Sequence, residues 1–305
     1  MASLYGYAVE SELPFTRLRD GPAPRGSIEI HRALSDPLAR RHEVLWFFDH
    51  GGAQLGLARS GADLLVWCSA TGAYCLSAET RRIAAAPRGA PEWWEHRLAS
   101  TVLPLMLSEC GDLCLHAAAL ELSGRAILVC GKSGAGKSTL SAALVLAGYD
   151  VISEDGVVVS IVEGNPVAWS GLDGVRIEER ALAILRGQAS PPGGAANPKN
   201  IHLREGRPAV ALPARALIFL EPRGGTELAV EAVQAPAALP SLLGHVHFAG
   251  RPALADAMRR AAALLSSLKI LKVTFPDDLA AVSAHAEELL SAVERTLSRC
   301  SAIDR

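Results

Sequence analysis

Gly131-Lys132-Ser133-Gly134-Ala135-Gly136-Lys137-Ser138 is the stretch of this chain whose residue types and spacing most sharply specify a chemistry. It fits the pattern G-x-x-x-x-G-K-[ST] at every position. Glycines let the backbone adopt positive φ and come close to an anion without a Cβ in the way. Successive N–H groups can then converge on phosphate oxygens, and a helix starting at the loop's end adds the positive end of its dipole. Gly131, Ser133, Gly134, Ala135, Gly136 and Thr139 are expected to form or flank this cradle. Lys137 is expected to reach the β- and γ-phosphates, and the Ser138 hydroxyl to bind Mg²⁺. ATP and Mg²⁺ are therefore the expected ligands.

Such a loop needs a carboxylate for the metal, usually at the end of a neighbouring strand. Ser153-Glu154-Asp155 follows the apolar-containing stretch YDVIS, with the acids 17 and 18 residues after Lys137. One helix and one returning strand would bring them beside the loop. Two adjacent carboxylates can divide the work: Asp155 on Mg²⁺ with Ser138, and either Glu154 or Asp155 as proton acceptor from an attacking hydroxyl. An acidic pair before Gly156 is also what an ordinary solvated turn looks like.

The flanking elements must position these groups. Residues 126–130 read as a short buried strand and TLSAALVLAG as a helix ending near Gly148. The segment from Tyr149 to Val162 reads as a strand or strand pair. Segment 174–187 contains a short helix, 187–198 is a Gly/Pro-rich loop, and ARALIFLE is another buried strand. Two amphipathic helices near 252–268 and 276–300 enclose the strand KILKVTF. This half, residues 111–305, is predicted to be a P-loop α/β domain. Residues 1–110 are predicted to be a smaller β-rich accessory domain. Its runs SIEIHRA, EVLWFF, GLARSG, DLLVWCSA and AYCLS are too short for βαβ units, which predicts an antiparallel arrangement. It ends in a helical linker at about 90–110 that starts at Pro91, carries Trp93-Trp94 as an anchor, and is kinked or split by Pro104.

Composition narrows the classes. The 305 residues carry 30 Lys+Arg against 32 Asp+Glu, net −2, so no bulk positive field would draw the chain to nucleic acid or to an acidic membrane. No uninterrupted apolar stretch is long enough for a membrane span, and the N-terminus lacks a basic region followed by an apolar run. A cytoplasmic protein is the expectation. The six cysteines form no CxxC pair and read as core residues. His245-x-His247 could place two imidazoles on one face, but without a third ligand a structural role is favoured. Asp277-Asp278 reads as a helix start, and Arg176, Glu178 and Glu179 as a solvated helix face, with Arg176 in a segment near the expected site.

Leu115-His116-Ala117-Ala118-Ala119-Leu120-Glu121-Leu122-Ser123-Gly124, the phosphate loop, and Ile152-Ser153-Glu154-Asp155-Gly156-Val157 together resemble the catalytic domain of HPr kinase/phosphorylase and its kinase relatives. The resemblance spans roughly residues 110–290 and extends weakly to YGYAVESELPF, which looks like the start of stand-alone members. It implies an ATP-dependent transfer of the γ-phosphoryl group to a serine-type hydroxyl. His116 falls where the family has a His near the phosphates. Asp155 matches the second residue of the family's acidic pair, and Glu154 stands where the family usually has Asp. The segment from Lys199 to Gly206 resembles a mobile loop that places Lys and Arg near the transferring group, which here would be Lys199 and Arg204. The Arg-Gly signature should fall at Ala168-Trp169-Ser170-Gly171, where only the glycine survives. That departure sets the phosphorylase reaction and HPr as acceptor in question.

Some relatives accompany peptide-modification systems such as lasso-peptide pathways, which makes a ribosomal precursor peptide one implied acceptor. Relatives form homo-oligomers. Two rival readings remain at this level: a kinase of a small hydroxyl metabolite such as free serine, and a non-catalytic nucleotide-sensing module.

Overall fold

The computed structural model describes residues 1–50, 53–188, 201–203, 206–224, 226–276 and 278–298. The N-terminal strands form one nine-stranded sheet. Its spatial order is Arg19–Asp20, Ala2–Leu4, Tyr7–Ser11, Ser27–Arg32, Arg82–Pro87, Gly72–Ser77, Asp63–Cys68, Ala53–Ser60, Glu43–His50. All five runs read as β-rich lie in it. The antiparallel expectation holds only for part of the sheet, because Ser27–Arg32 pairs in parallel with both Tyr7–Ser11 and Arg82–Pro87. A parallel pair needs a long crossover. Here the meander of four strands between residues 43 and 77 is itself that crossover. Arg82–Pro87 escaped the sequence reading because RIAAAP is alanine-rich, and Ala has weak strand preference. Its Ile83 and Ala85 are nonetheless fully buried.

The linker is helical and split, as Pro104 requires. Pro91–Arg97 runs into a π-helical turn, Leu98–Val102, and continues as Leu103–Glu109. In the π register the Leu103 N–H donates to the Leu98 carbonyl, so the next donor in line, for Ala99, would be Pro104, which has no N–H. The Tyr5 hydroxyl donates to that Ala99 carbonyl at 3.0 Å. Trp94 is buried and meets Phe15 edge-on, with ring centroids 5.3 Å apart, which is the anchoring role expected of the tryptophan pair.

The second sheet is mixed. Its centre is parallel: Arg125–Gly131 beside Ala211–Leu220 beside Lys269–Thr274. Ala117–Leu122 and Val151–Ser153 extend it antiparallel on one side. Asn165–Trp169, Val157–Val162 and Leu113–Leu115 extend it on the other. Buried side chains alternate between its faces. Ala118, Leu120, Ile127 and Val129 pack with the helices Lys137–Leu146 and Ala281–Ser298. Ala117, Ala119, Leu128 and Cys130 pack with Ala235–Leu243 and Arg251–Ser267. Helices on both faces explain why the central strands read as unbroken apolar runs. A further core cluster joins Leu4, Tyr5 and Tyr74 to Trp94 and Met106, and on to Val158 and Trp169. The five described cysteines are free thiols, and Cys300 lies outside the described residues. Among the described residues no helix is long and apolar enough to cross a membrane.

Candidate functional site

The strand Arg125–Gly131 delivers the glycine loop to the carboxyl edge of the parallel strands, where ligands collect in open α/β sheets. Gly131 is required there: a Cβ would lie 2.7 Å from the Leu220 carbonyl of the adjacent strand. Gly134 and Gly136 take φ of +83° and +102°, the left-handed region that a side chain would strain. No atom lies within 4 Å of where their Cβ atoms would be, so the loop presents bare backbone to open space. Gly136 opens the ten-residue helix Lys137–Leu146. The Lys137 ammonium folds across the loop and donates to the Gly131 carbonyl at 2.6 Å.

The acidic turn between Val151–Ser153 and Val157–Val162 sits beside this loop. Asp155 has φ of +61°, an uncommon value for a residue with a side chain and one that surroundings must enforce. Every residue of the turn is clamped. Ser153 Oγ donates to the Gly156 carbonyl, and the Tyr5 hydroxyl, whose one proton is shared with the Ala99 carbonyl, lies 3.0 Å from it. The Arg176 N–H donates to Glu154 Oε2 at 2.6 Å. His116 Nδ1 lies 3.1 Å from the Asp155 carbonyl, which can only accept, so Nδ1 carries the proton. His96 Nε2 lies 3.2 Å from Asp155 Oδ2.

Loop and turn open on one cavity of about 420 Å³. Of the residues expected from sequence, His116, Ser133, Gly134, Gly136, Lys137, Ser138, Thr139 and Asp155 line it. Gly131 and Ala135 support the loop from behind. Glu154 is not on the cavity wall; its carboxylate is turned to the Arg176 backbone. Lys199 and Arg204 lie outside the described residues. Between them, Ile201–Leu203 pairs antiparallel with Val175–Ile177, and Ile177 lines the cavity.

Four residues near the site were not assigned to it from sequence. Glu178 and Arg223 line the cavity. Arg176 is largely buried, with its guanidinium 5.5 Å from the Trp93 ring, so the solvated-face reading fails for it. His96 reaches Asp155 from the linker helix. Arg223 had a signal, since it follows directly on a buried parallel strand; His96 had none.

Two further imidazoles stand behind His116. The backbone N–H of His247 donates to the Cys114 carbonyl at 2.8 Å and the backbone N–H of His116 to the His245 carbonyl at 2.7 Å, on either side of a Leu115–Val246 bridge. Among the described residues His247 Nε2 is buried without a hydrogen-bond partner. Burial first, then the positive fields of His116 and Arg97, pushes the His247 pKa down to about 3 from 6.5. Burial likewise takes His245 down to about 4, with Lys137 and His116 adding to it. Both are neutral in the folded chain, while the unfolded chain takes up protons near pH 6.5. Stability should therefore be full above about 6.5 and fall as pH drops toward 3. At about 1.4 kcal/mol per unit, His247 should withdraw on the order of 3 kcal/mol by pH 4.5, and the half-exposed His245 less. Urea midpoints at pH 7 and 4.5 measure this. His247→Phe should flatten the dependence; an unchanged acid slope in that variant would remove His247 as its cause.

The residues fit a magnesium nucleotide. Backbone amides and a helix start face the cavity with Lys137, and the Ser138 hydroxyl and the Asp155 carboxylate stand on its wall as hard oxygen donors. Among the described residues no group of three or more His, Cys, Asp or Glu is arranged to hold a metal ion by itself. A metal at this site would share its ligands with phosphate oxygens, as Mg²⁺ commonly does. A second cavity, of about 470 Å³, is lined by Arg59, Glu109, Asp112, His247 and Arg260. It has no glycine cradle, and its charges pair within the protein, Arg59 with Glu109 at 2.9 Å and Arg260 with Asp256.

No family profile matches the chain. Two curated proteins, the HPr kinase/phosphorylases of two strains of Treponema pallidum, are each 33% identical to it over 98 residues. The match covers 29% of this chain and 31% of theirs, so the chain aligns with under a third of the length of these relatives. A solved structure, the Hpr(Ser) kinase/phosphatase from Coxiella burnetii, is similar at 12% identity with a TM-score of 0.33. That likeness covers 63% of this chain and 94% of the other, and the superposition is too loose to bear on the fold. Neither comparison points to a peptide-modification pathway. The chain is thus similar, over its matched segment, to kinases of the HPr kinase/phosphorylase type.

Proposed function

We propose that this chain is an ATP-dependent kinase that transfers the γ-phosphoryl group to a serine-type hydroxyl of a protein or peptide. The observation that carries the reading is that Lys137, Ser138 and Asp155 share one cavity wall with the glycine loop. Magnesium ATP would supply the phosphoryl group and neutralise part of its charge. The amides of residues 133–138 bind the phosphate tail, and Lys137 leaves its contact with Gly131 to meet the β- and γ-phosphates. Ser138 and Asp155 would hold the metal. The acceptor's proton passes to the acidic pair, and of the two it is Asp155 that lines the cavity. Glu154 keeps the turn in register through the Arg176 amide. His116 fixes the Asp155 backbone and faces the phosphates. Lys199 and Arg204 close over the site in this reading. Catalysis is then positioning plus electrostatics, the usual division of labour in phosphoryl transfer.

HPr itself is the acceptor named for the relatives. Here Ala168-Trp169-Ser170-Gly171 is engaged within the chain, with the Tyr5 N–H donating to the Ser170 carbonyl at 2.8 Å. This supports an acceptor other than HPr. Incubation with γ-labelled ATP and MgCl₂ against HPr, free serine and precursor peptides encoded nearby tests the proposal. Label on a peptide or protein serine supports it. Label only on free serine makes the enzyme a metabolite kinase, and tight ATP binding without transfer to any acceptor makes it a sensor.

A further inference from the structure

We propose that the N-terminal half completes the phosphoryl-transfer site, with His96 as the positioning residue for Asp155. The inference rests on the kinase reading above and deepens it.

The Asp155 backbone sits at a positive φ, and a carboxylate one methylene away from it can turn about χ1 and χ2. His116 meets the carbonyl end. The His96 imidazole, 3.2 Å from Oδ2, pins the carboxylate end and so sets its rotation relative to the glycine loop. His96 is itself held firmly. It occupies the last turn of Pro91–Arg97, where the preceding residues Trp94 and Glu95 are both buried. Directly after it comes the π-helical turn, and that turn presses on the acidic motif. A Cβ on Gly156 would lie 3.0 Å from Ser100 Cα and 3.1 Å from the Ala99 carbonyl. The Tyr5 hydroxyl lies 3.0 Å from both the Ala99 and the Gly156 carbonyls and shares its one proton between them, which brings the first strands, the linker and the acidic turn together at one atom. Partners that orient a metal-binding group are typically worth about 10–100-fold in metal affinity or activity.

The test uses the full chain, the non-hydrolysable analogue AMP-PNP and MgCl₂. Calorimetry gives nucleotide affinity with and without the metal, and hydrogen exchange of the metal-free chain reports on residues 154–156. His96→Leu should weaken binding about 10-fold with MgCl₂, change it less than about twofold without MgCl₂, and speed exchange at 154–156. His96→Gln, whose amide can still donate to Asp155, should recover most of both effects. The inference is overturned if wild type binds the magnesium nucleotide and both variants match it. It is equally overturned if both variants lose affinity to the same extent with and without MgCl₂, which would mark His96 as packing only. If the wild-type chain binds no nucleotide, the kinase reading falls and this inference with it. Should His96→Leu fail to fold, His96→Asn takes its place, since its amide is too short to reach Asp155 Oδ2: a loss confined to the titration with MgCl₂ supports the inference, and affinity equal to wild type overturns it.

Discussion

If the proposed kinase reading holds, Lys137→Ala should cut phosphoryl transfer about 10²–10³-fold and leave the fold intact. The Lys137 side chain is 93% shielded from solvent, and its ammonium is directed across the loop onto the Gly131 carbonyl at 2.6 Å rather than into a core. On the proposed reading that ammonium would meet the β- and γ-phosphates, in a cavity whose wall also carries Asp155. Removing one preorganised electrostatic group of this kind costs about 10²–10³-fold in turnover. The structural loss is smaller. The hydrogen bond from the ammonium to the Gly131 carbonyl disappears, worth about 1.5–3 kcal/mol for a charged donor, while alanine has high helix propensity in the helix Lys137–Leu146. Lys137→Arg should not restore activity, because a planar guanidinium does not fit where a compact ammonium is needed. Initial rates with γ-labelled ATP and thermal melts followed by circular dichroism make the comparison. Turnover within threefold of wild type in the alanine variant would remove the glycine loop as the reaction centre.

The parts of this site that could be read in the sequence are those whose chemistry is local. The glycine loop is eight consecutive residues, and its strand and helix follow without a gap. The acidic turn follows after one helix, and helix-strand continuity limits where it can go. The central strands were legible because burial on both faces leaves an unmistakable apolar run. What was missed depends on long-range pairing. Tyr5 bonds to Gly156 across 151 residues, and Arg17 to Gly174 across 157. Nothing in YGYAVE or WWEHR hints at such partners, since a tyrosine or histidine in those settings reads as surface or core. Arg176 was misjudged for a related reason. Its neighbours Glu178 and Glu179 suggest a solvated helix, yet Val175–Ile177 is a strand whose amide holds Glu154. The alternation of parallel and antiparallel pairs in the first sheet was out of reach too, because strand content is local and strand order is not.

Glu95 is the residue on which the joint between the two halves most depends, and Glu95→Ala should destabilise the chain by about 3–5 kcal/mol, the range for breaking one side of a buried charge cluster. Its side chain is fully buried. Oε1 accepts from the Thr16 N–H at 3.1 Å and the Arg17 N–H at 2.7 Å, and Oε2 from the Thr16 hydroxyl at 2.9 Å. Arg17 then reaches on, with Nε donating to the Asp173 carbonyl at 2.8 Å and Nη2 to the Gly174 carbonyl at 2.9 Å. Burial pushes the Arg17 pKa down, and the charges of Glu154 and Glu95 oppose that push. Alanine at 95 leaves the buried Arg17 N–H and the two donors of the exposed Thr16 without this acceptor, and withdraws one of the three carboxylates (Glu154, Glu95 and Asp173) whose fields favour the charged Arg17. Glu95→Gln, which keeps an acceptor oxygen but not the charge, should cost less. Because Arg17 holds residues 173–174, two positions before the amide that fixes Glu154, the loss should also loosen the acidic turn. Urea denaturation read by tryptophan fluorescence gives the stability change, and AMP-PNP affinity with MgCl₂ gives the effect on the site. A Glu95→Ala midpoint equal to wild type would mean that the helix Pro91–Arg97 leans on the sheet that carries the glycine loop without bracing it, and the dependence of Asp155 on His96 would lose its mechanical basis.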